Sequence, residues 1–124
     1  MSLIKTLDDY KLDNNAQSAA GVKYKTSTVT SGAGTYNFTR DDGSTVSLYY
    51  AQVSGLTFLP NTIMIRDGQG RLTCYSINSL TTNGSKVFST SENKFYKDGY
   101  SATSTAFLMP VPSPSVTYTY EIYG

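Results

Sequence analysis

The residues of this chain best suited to chemistry are carboxylates. Asp41 and Asp42 stand side by side before Gly43. Two adjacent carboxylates can bind calcium or divide acid and base work between them. Calcium, however, needs six to eight oxygen ligands, and no third acid follows at the spacing of a calcium loop. Asp-Asp-Gly is also ordinary turn chemistry, because Asp side chains accept from nearby backbone N–H groups and Gly adopts positive φ at no steric cost. Asp8, Asp9 and Asp13 fit the solvated face of a short helix, while Glu92 and Glu121 lack an acidic neighbour in sequence. A glycosidase would need two carboxyls facing each other across a cleft, and no spacing here points to that.

The chain has no histidine. This removes Ser-His and Cys-His nucleophilic pairs and most zinc sites. Cys74 is the sole cysteine, so no intrachain disulfide can form. It lies in an alternating apolar segment and reads as a small buried hydrophobe rather than a nucleophile. Gly68-Gln69-Gly70 is not a dinucleotide fingerprint, since no helix follows it. The expectation is a non-enzyme with no cofactor and no metal.

Tyrosine is the remaining constellation, with eleven copies. Its flat apolar ring and polar tip suit sugar stacking and protein interfaces alike. Tyr118 and Tyr120 alternate with Val116 and Ile122, so they read as core. Tyr49 and Tyr50 point to opposite faces, so at most one is core, and Tyr123 lies on the more polar face of its strand. Tyr96 and Tyr100 flank an Asp98-Gly99 turn and are expected to be exposed. Tyr96, Tyr100, Tyr49 and Tyr123 are therefore the candidate recognition residues.

The elements that must position these groups are strands. The chain has 124 residues, enough for one core. It is rich in Ser, Thr and Tyr and poor in charge, a composition that suits half-buried pleated surfaces. Residues 1–21 differ: Leu3, Leu7 and Tyr10 recur near a helical period, followed by a polar linker. A helix this short needs a partner surface. This segment is expected to be a helical or flexible docking piece, and 22–124 a β domain. In 22–124, seven to nine short strands joined by Gly turns predict an antiparallel β-sandwich, with a small closed barrel as the alternative.

Register follows from matching apolar residues across each loop; a two-residue loop after Phe38 would oppose it to Ser47 and Tyr36 to Tyr49. A three-residue loop at Asp41-Asp42-Gly43 opposes Phe38 to Val46 and Tyr36 to Leu48, apolar to apolar. A four-residue loop at Asp67-Gly68-Gln69-Gly70 pairs Ile65 with Leu72 and Ile63 with Cys74 on the same criterion. Asn83-Gly84 is a further hairpin signal. Residues 106–111 read as a buried strand, and Pro110, Pro112 and Pro114 make it an edge or an extended crossover.

Ten Lys and Arg against nine Asp and Glu give a net charge of +1, with no clustered basic face, so a nucleic-acid partner is not expected. No apolar run approaches the ~18 residues of a membrane span. The N-terminus lacks a basic region followed by an apolar stretch, so no secretory signal peptide is expected.

One stretch carries a resemblance. Tyr50, Gln52, Val53, Gly55, Leu56, Phe58, Pro60, Ile63 and Ile65 spell aromatic-x-Gln-Val-x-Gly-Leu-x-Phe-x-Pro-x-x-Ile-x-Ile. With the preceding Asp42-Gly43-Ser44-Thr45-Val46-Ser47, this resembles a module of tail-fibre and minor structural proteins of phages and prophages of Gram-positive bacteria. The resemblance covers roughly residues 22–80. It implies a virion structural protein of a tail, baseplate or fibre, assembled in the bacterial cytoplasm. Its partners would be other virion proteins and copies of itself, a homotrimer or another ring, with host-surface attachment as a further role. The motif residues are structural: Gly55 allows a corner, Leu56 and Phe58 anchor it, and Pro60 stops the ladder. The competing function is a carbohydrate-binding module that recognises a cell-surface glycan.

Overall fold

The computed structural model describes residues 23–77 and 85–124. These form ten strands: β1 (Tyr24–Thr30), β2 (Thr35–Arg40), β3 (Thr45–Ser54), β4 (Thr62–Arg66), β5 (Leu72–Ser76), β6 (Lys86–Ser89), β7 (Lys94–Asp98), β8 (Ser101–Ala102), β9 (Ala106–Val111) and β10 (Thr117–Tyr123). All pair antiparallel in one sheet of order β1-β10-β4-β5-β6-β7-β2-β3-β9-β8. The sheet curls into a half-barrel, so that β9 returns over β5 and β6 and β1 lies close to β3. The all-β expectation holds, with ten strands in place of seven to nine and no helix among the described residues. The expected N-terminal helix and the Asn83-Gly84 turn lie outside the described residues.

Two hairpins show how local chemistry sets register. At Asp41-Asp42-Gly43, the Gly43 N–H donates to the Arg40 carbonyl at 2.9 Å and the Arg40 N–H to the Ser44 carbonyl at 2.8 Å. Gly43 takes φ +92°, which favours glycine. The Asp42 carboxylate accepts from the Ser44 N–H (2.8 Å) and hydroxyl (2.6 Å). Phe38 therefore opposes Val46 and Tyr36 opposes Leu48, as the apolar match predicts.

The β4–β5 hairpin corrects its expectation by one residue. Ile65 opposes Thr73, Met64 opposes Cys74 and Ile63 opposes Tyr75. The loop repeats the first one: Gly70 N–H donates to the Asp67 carbonyl (3.3 Å), Asp67 N–H to the Arg71 carbonyl (3.1 Å), and Gly70 has φ +83°. Asp67 thus lies opposite Arg71 and closes the turn rather than being its first loop residue. Its carboxylate accepts from the Gln69 and Arg71 N–H groups (2.8 and 2.9 Å) and pairs with Arg71 Nε (2.6 Å). Cys74 is consequently not a core residue; it faces away from the core and is half-buried. Thr73 takes the inward place, and its hydroxyl donates to the Pro110 carbonyl at 2.8 Å.

Burial works to raise the Asp67 carboxyl, but hydrogen bonds from the Arg71 backbone and side chain and the Gln69 N–H hold it below the ordinary carboxylate value. A depressed folded value means that this stabilisation is present above the unfolded pKa of about 3.9 and fades as pH falls through the lower folded one. Asp67→Asn is expected to cost about 2 kcal/mol at neutral pH and almost nothing in strong acid. Urea unfolding of both proteins across the acid range checks this. Parallel stability curves would refute it.

The core lies inside the curl. One cross-strand row runs Ile122, Ile63, Tyr75, Val87, Tyr96 through β10, β4, β5, β6 and β7, and all five are buried. Phe107 and Met109 of β9 close over it, with the Phe107 and Tyr120 rings edge-to-face at 5.4 Å. β10 alternates as expected: Tyr118, Tyr120 and Ile122 point in, while Thr117, Thr119 and Tyr123 are exposed. β9 is not a bare edge, because it pairs with β3 along its length and with the two residues of β8. Gly55 (φ +79°) turns the chain out of β3, Leu56 (6 % exposed) anchors the corner, and Pro60 is buried before β4.

Candidate functional site

The solvent face of β4 to β7 carries a continuous aromatic and apolar row. Direct cross-strand partners share a face. The register chain Glu121, Met64, Cys74, Phe88, Phe95 therefore forms one straight row on β10, β4, β5, β6 and β7. Its last four members are apolar and span three strand spacings, about 14 Å. Met64, Cys74 and Phe88 are half-buried, and Phe95 is 50 % exposed. The Phe88 and Phe95 rings pack 4.7 Å apart at a tilt of 54°, making a ridge. A hollow of about 300 Å³ beside Met64 and Lys86 lies on one flank, and one of about 350 Å³ beside Asp42 and Asn93 on the other.

Ion pairs bracket the row. The Lys86 side chain, only 8 % exposed, donates to Asp41 at 2.5 Å, beside the Phe95 end. At the far end Arg66 pairs with Glu121, which also accepts from the Tyr24 hydroxyl at 3.1 Å. Burial pushes the Cys74 thiol up, so it stays protonated at neutral pH and behaves as one more apolar group in the row.

The four candidate tyrosines are not brought together. Tyr96 is fully buried, against the expectation of exposure. Its ring packs edge-on to Phe38 at 6.4 Å, and its hydroxyl meets Glu92 at 3.3 Å. Burial first, then the nearby Glu92 charge, pushes its pKa up to about 12. Glu92 in turn pairs with Arg40 at 3.2 Å. Tyr100 is half-buried against Tyr75 (rings 5.9 Å apart), and its hydroxyl donates to the Ser85 carbonyl at 2.9 Å. Tyr49 is half-buried against the core, as is Tyr50, so neither is a full core member. Tyr123 alone is exposed, its ring packed at 5.0 Å and a 48° tilt against Tyr24.

Residues that turn chemistry did not single out are better placed. Tyr36 is 49 % exposed on the wall of an open cleft of about 500 Å³ shared with Asn37, Thr39 and Asp98. Phe88 and Phe95 carried only half of a sequence signal: alternation puts one of two neighbouring residues outward, and the β6–β7 pairing decides which. Asp41 and Asp42 divide between an ion pair and a turn cap and form no paired site. Among the described residues, no group of three or more His, Cys, Asp or Glu is placed to hold a metal.

Comparison with known proteins returns no significant match: no family model fits the chain, and no curated protein or solved structure is similar to it.

Proposed function

We propose that this chain is a structural module of a phage or prophage virion, a tail, baseplate or fibre-associated protein that acts through protein–protein assembly rather than catalysis. The observation that carries the assembly reading is the row Met64, Cys74, Phe88, Phe95. An apolar, aromatic strip rimmed by ion pairs has the make-up of an interface centre with a polar rim. The phage setting rests on the motif from Tyr50 to Ile65. In this reading the curled sheet works as a sandwich, with β10-β4-β5-β6 facing β2-β3-β9.

The test is particle incorporation. After prophage induction in the encoding bacterium, the tagged chain should co-purify with intact virions. Phe95→Lys should lower its particle content at least about tenfold, the loss typical of a central aromatic. Because Phe95 is half exposed, losing its packing on Phe88 should cost only about 1 kcal/mol and leave the protein folded. Absence of the chain from purified particles would end the virion reading.

A second reading is favoured by the Tyr36 cleft. An exposed ring beside an amide and a carboxylate is a sugar-stacking arrangement. Binding of the isolated chain to a purified cell-wall glycan, competed by the free sugar, would support a carbohydrate-binding module with no assembly role.

A further inference from the structure

The two margins of the sheet differ. At one margin β8 has only two residues, and the strand behind it, β9, carries Pro110, which lacks an N–H and whose carbonyl is taken by Thr73. Proline and a very short strand both blunt an edge. The other margin is β1, seven residues long, with no proline and no bulge. Six of its seven residues are exposed.

The hydrogen-bond parity of β1 follows from two bonds that flank it. Gly124 N–H donates to the Lys23 carbonyl at 2.9 Å, and Ser31 N–H to the Val116 carbonyl at 2.9 Å. In the β1–β10 register, which opposes Tyr24 to Tyr123, residues 23 and 31 are therefore hydrogen-bonded positions. Such positions alternate along an antiparallel pair. Lys25, Ser27 and Val29 consequently turn their backbone groups toward β10. Tyr24, Thr26, Thr28 and Thr30 turn theirs outward, where no described residue receives them. The side chains of three of these four are tied back instead, Tyr24 to Glu121, Thr26 to the Tyr120 carbonyl and Thr30 to Thr117. Among the described residues, the outward backbone is left without a partner.

We propose that β1 pairs with β1 of a second copy of this chain, antiparallel about a twofold axis at Ser27. The four outward residues are symmetric about that position. Centring there pairs Tyr24 with Thr30 and Thr26 with Thr28 of the partner copy, so every outward N–H and C=O finds a partner. Shifting the centre to Thr26 or Thr28 leaves an end residue of β1 unmatched. Thr–Thr pairs then line one face, and Lys25 falls opposite Val29, so no like charges are opposed. The two sheets fuse into one continuous sheet. This contact names the partner for the assembly reading, a second copy, and depends on that reading only for its setting. It is twofold rather than the threefold ring expected of a fibre, and it leaves the Met64–Phe95 row free.

The register makes the test specific. At the axis, Ser27 faces Ser27 of the partner copy as a non-hydrogen-bonded pair with Cα atoms about 4.5 Å apart, within disulfide reach. In a Cys74→Ser background, Ser27→Cys should give a disulfide dimer under mild oxidation. Lys25→Cys, displaced from the axis, should crosslink at least about tenfold more slowly. Thr28→Pro removes an outward N–H and leaves the β10 ladder intact, so it should fold normally. It should weaken the dimer seen by light scattering by roughly tenfold or more. A strictly monomeric parent, equal crosslinking of the two cysteine variants, or an oligomer that Thr28→Pro leaves unchanged would each overturn the pairing. None of these outcomes bears on whether the chain is found in virions.

Discussion

Tyr96→Ala is expected to destabilise the protein by about 3–5 kcal/mol, the cost of deleting a large aromatic side chain from a packed core. The ring is fully buried at the end of the row Ile122, Ile63, Tyr75, Val87, and its neighbour Phe38 has no exposure either. Protein interiors are packed like crystals, so neighbours relax only partly into the space left behind. Tyr96→Phe keeps the ring and loses only a long 3.3 Å hydrogen bond to Glu92, so it should cost about 1 kcal/mol. Tyr100→Ala should fall between the two, since that ring is half-buried. Urea or guanidinium unfolding of the three variants reads the order directly. A Tyr96→Ala protein with the parent's midpoint would mean that this ring is not in the core.

Gly99→Val is expected to be at least as damaging, at about 3 kcal/mol or more, and the two causes are separate. Gly99 has φ +100°, a conformation that a β-branched residue rarely adopts. A Cβ there would also lie 2.5 Å from the Asn37 carbonyl oxygen and 2.8 Å from the Phe38 Cα, both backbone atoms that cannot swing aside. The turn at Gly99 takes the chain from β7, in the middle of the sheet, to β8 at its margin. It passes directly over β2 to do so. Gly43→Val makes the useful contrast: φ is +92°, but no atom lies within 4 Å of the added Cβ. It should therefore show the conformational cost alone, about 1–2 kcal/mol. Equal losses for the two variants would refute the steric part.

The hairpins show how much of the fold is legible along the chain. At Asp41-Asp42-Gly43 a short polar cap and a left-handed glycine dictate the loop. The apolar pairs Phe38–Val46 and Tyr36–Leu48 follow from it. The Asp67–Arg71 loop uses the same chemistry, yet matching apolar residues across the strands misplaces it by one position. That criterion assumes that the inward face is apolar. Thr73 breaks the assumption, because the Pro110 carbonyl, distant in sequence, satisfies its hydroxyl inside the curl. A one-residue slip in a strand exchanges its faces. Leu72 and Cys74 thereby leave the core, and Cys74 joins Met64, Phe88 and Phe95 on the outer row.

Tyr96 fails to be legible for a related reason. Its strand, Lys94-Phe95-Tyr96-Lys97-Asp98, holds two adjacent aromatics among charges. Alternation says that one faces in and one out, without saying which. Pairing with β6 decides it, by setting Tyr96 opposite Val87 and Phe95 opposite Phe88. The ring that turn chemistry places outside is therefore core, and its neighbour is the exposed one.

What the amino-acid sequence determines alone is therefore local: β class, the glycine turns, the strand alternation of β10, the Gly55–Leu56 corner, and the absence of any histidine-based site. Those depend on backbone dihedrals and on side chains a few residues apart. The tertiary structure decides strand order, which of two neighbouring aromatics is buried, and how four apolar residues from four strands become one row. It also decides that β1, rather than the proline-bearing β9, is the long margin strand among the described residues. Each of these depends on partners far apart in the chain, whose hydrogen bonds and packing no local pattern encodes.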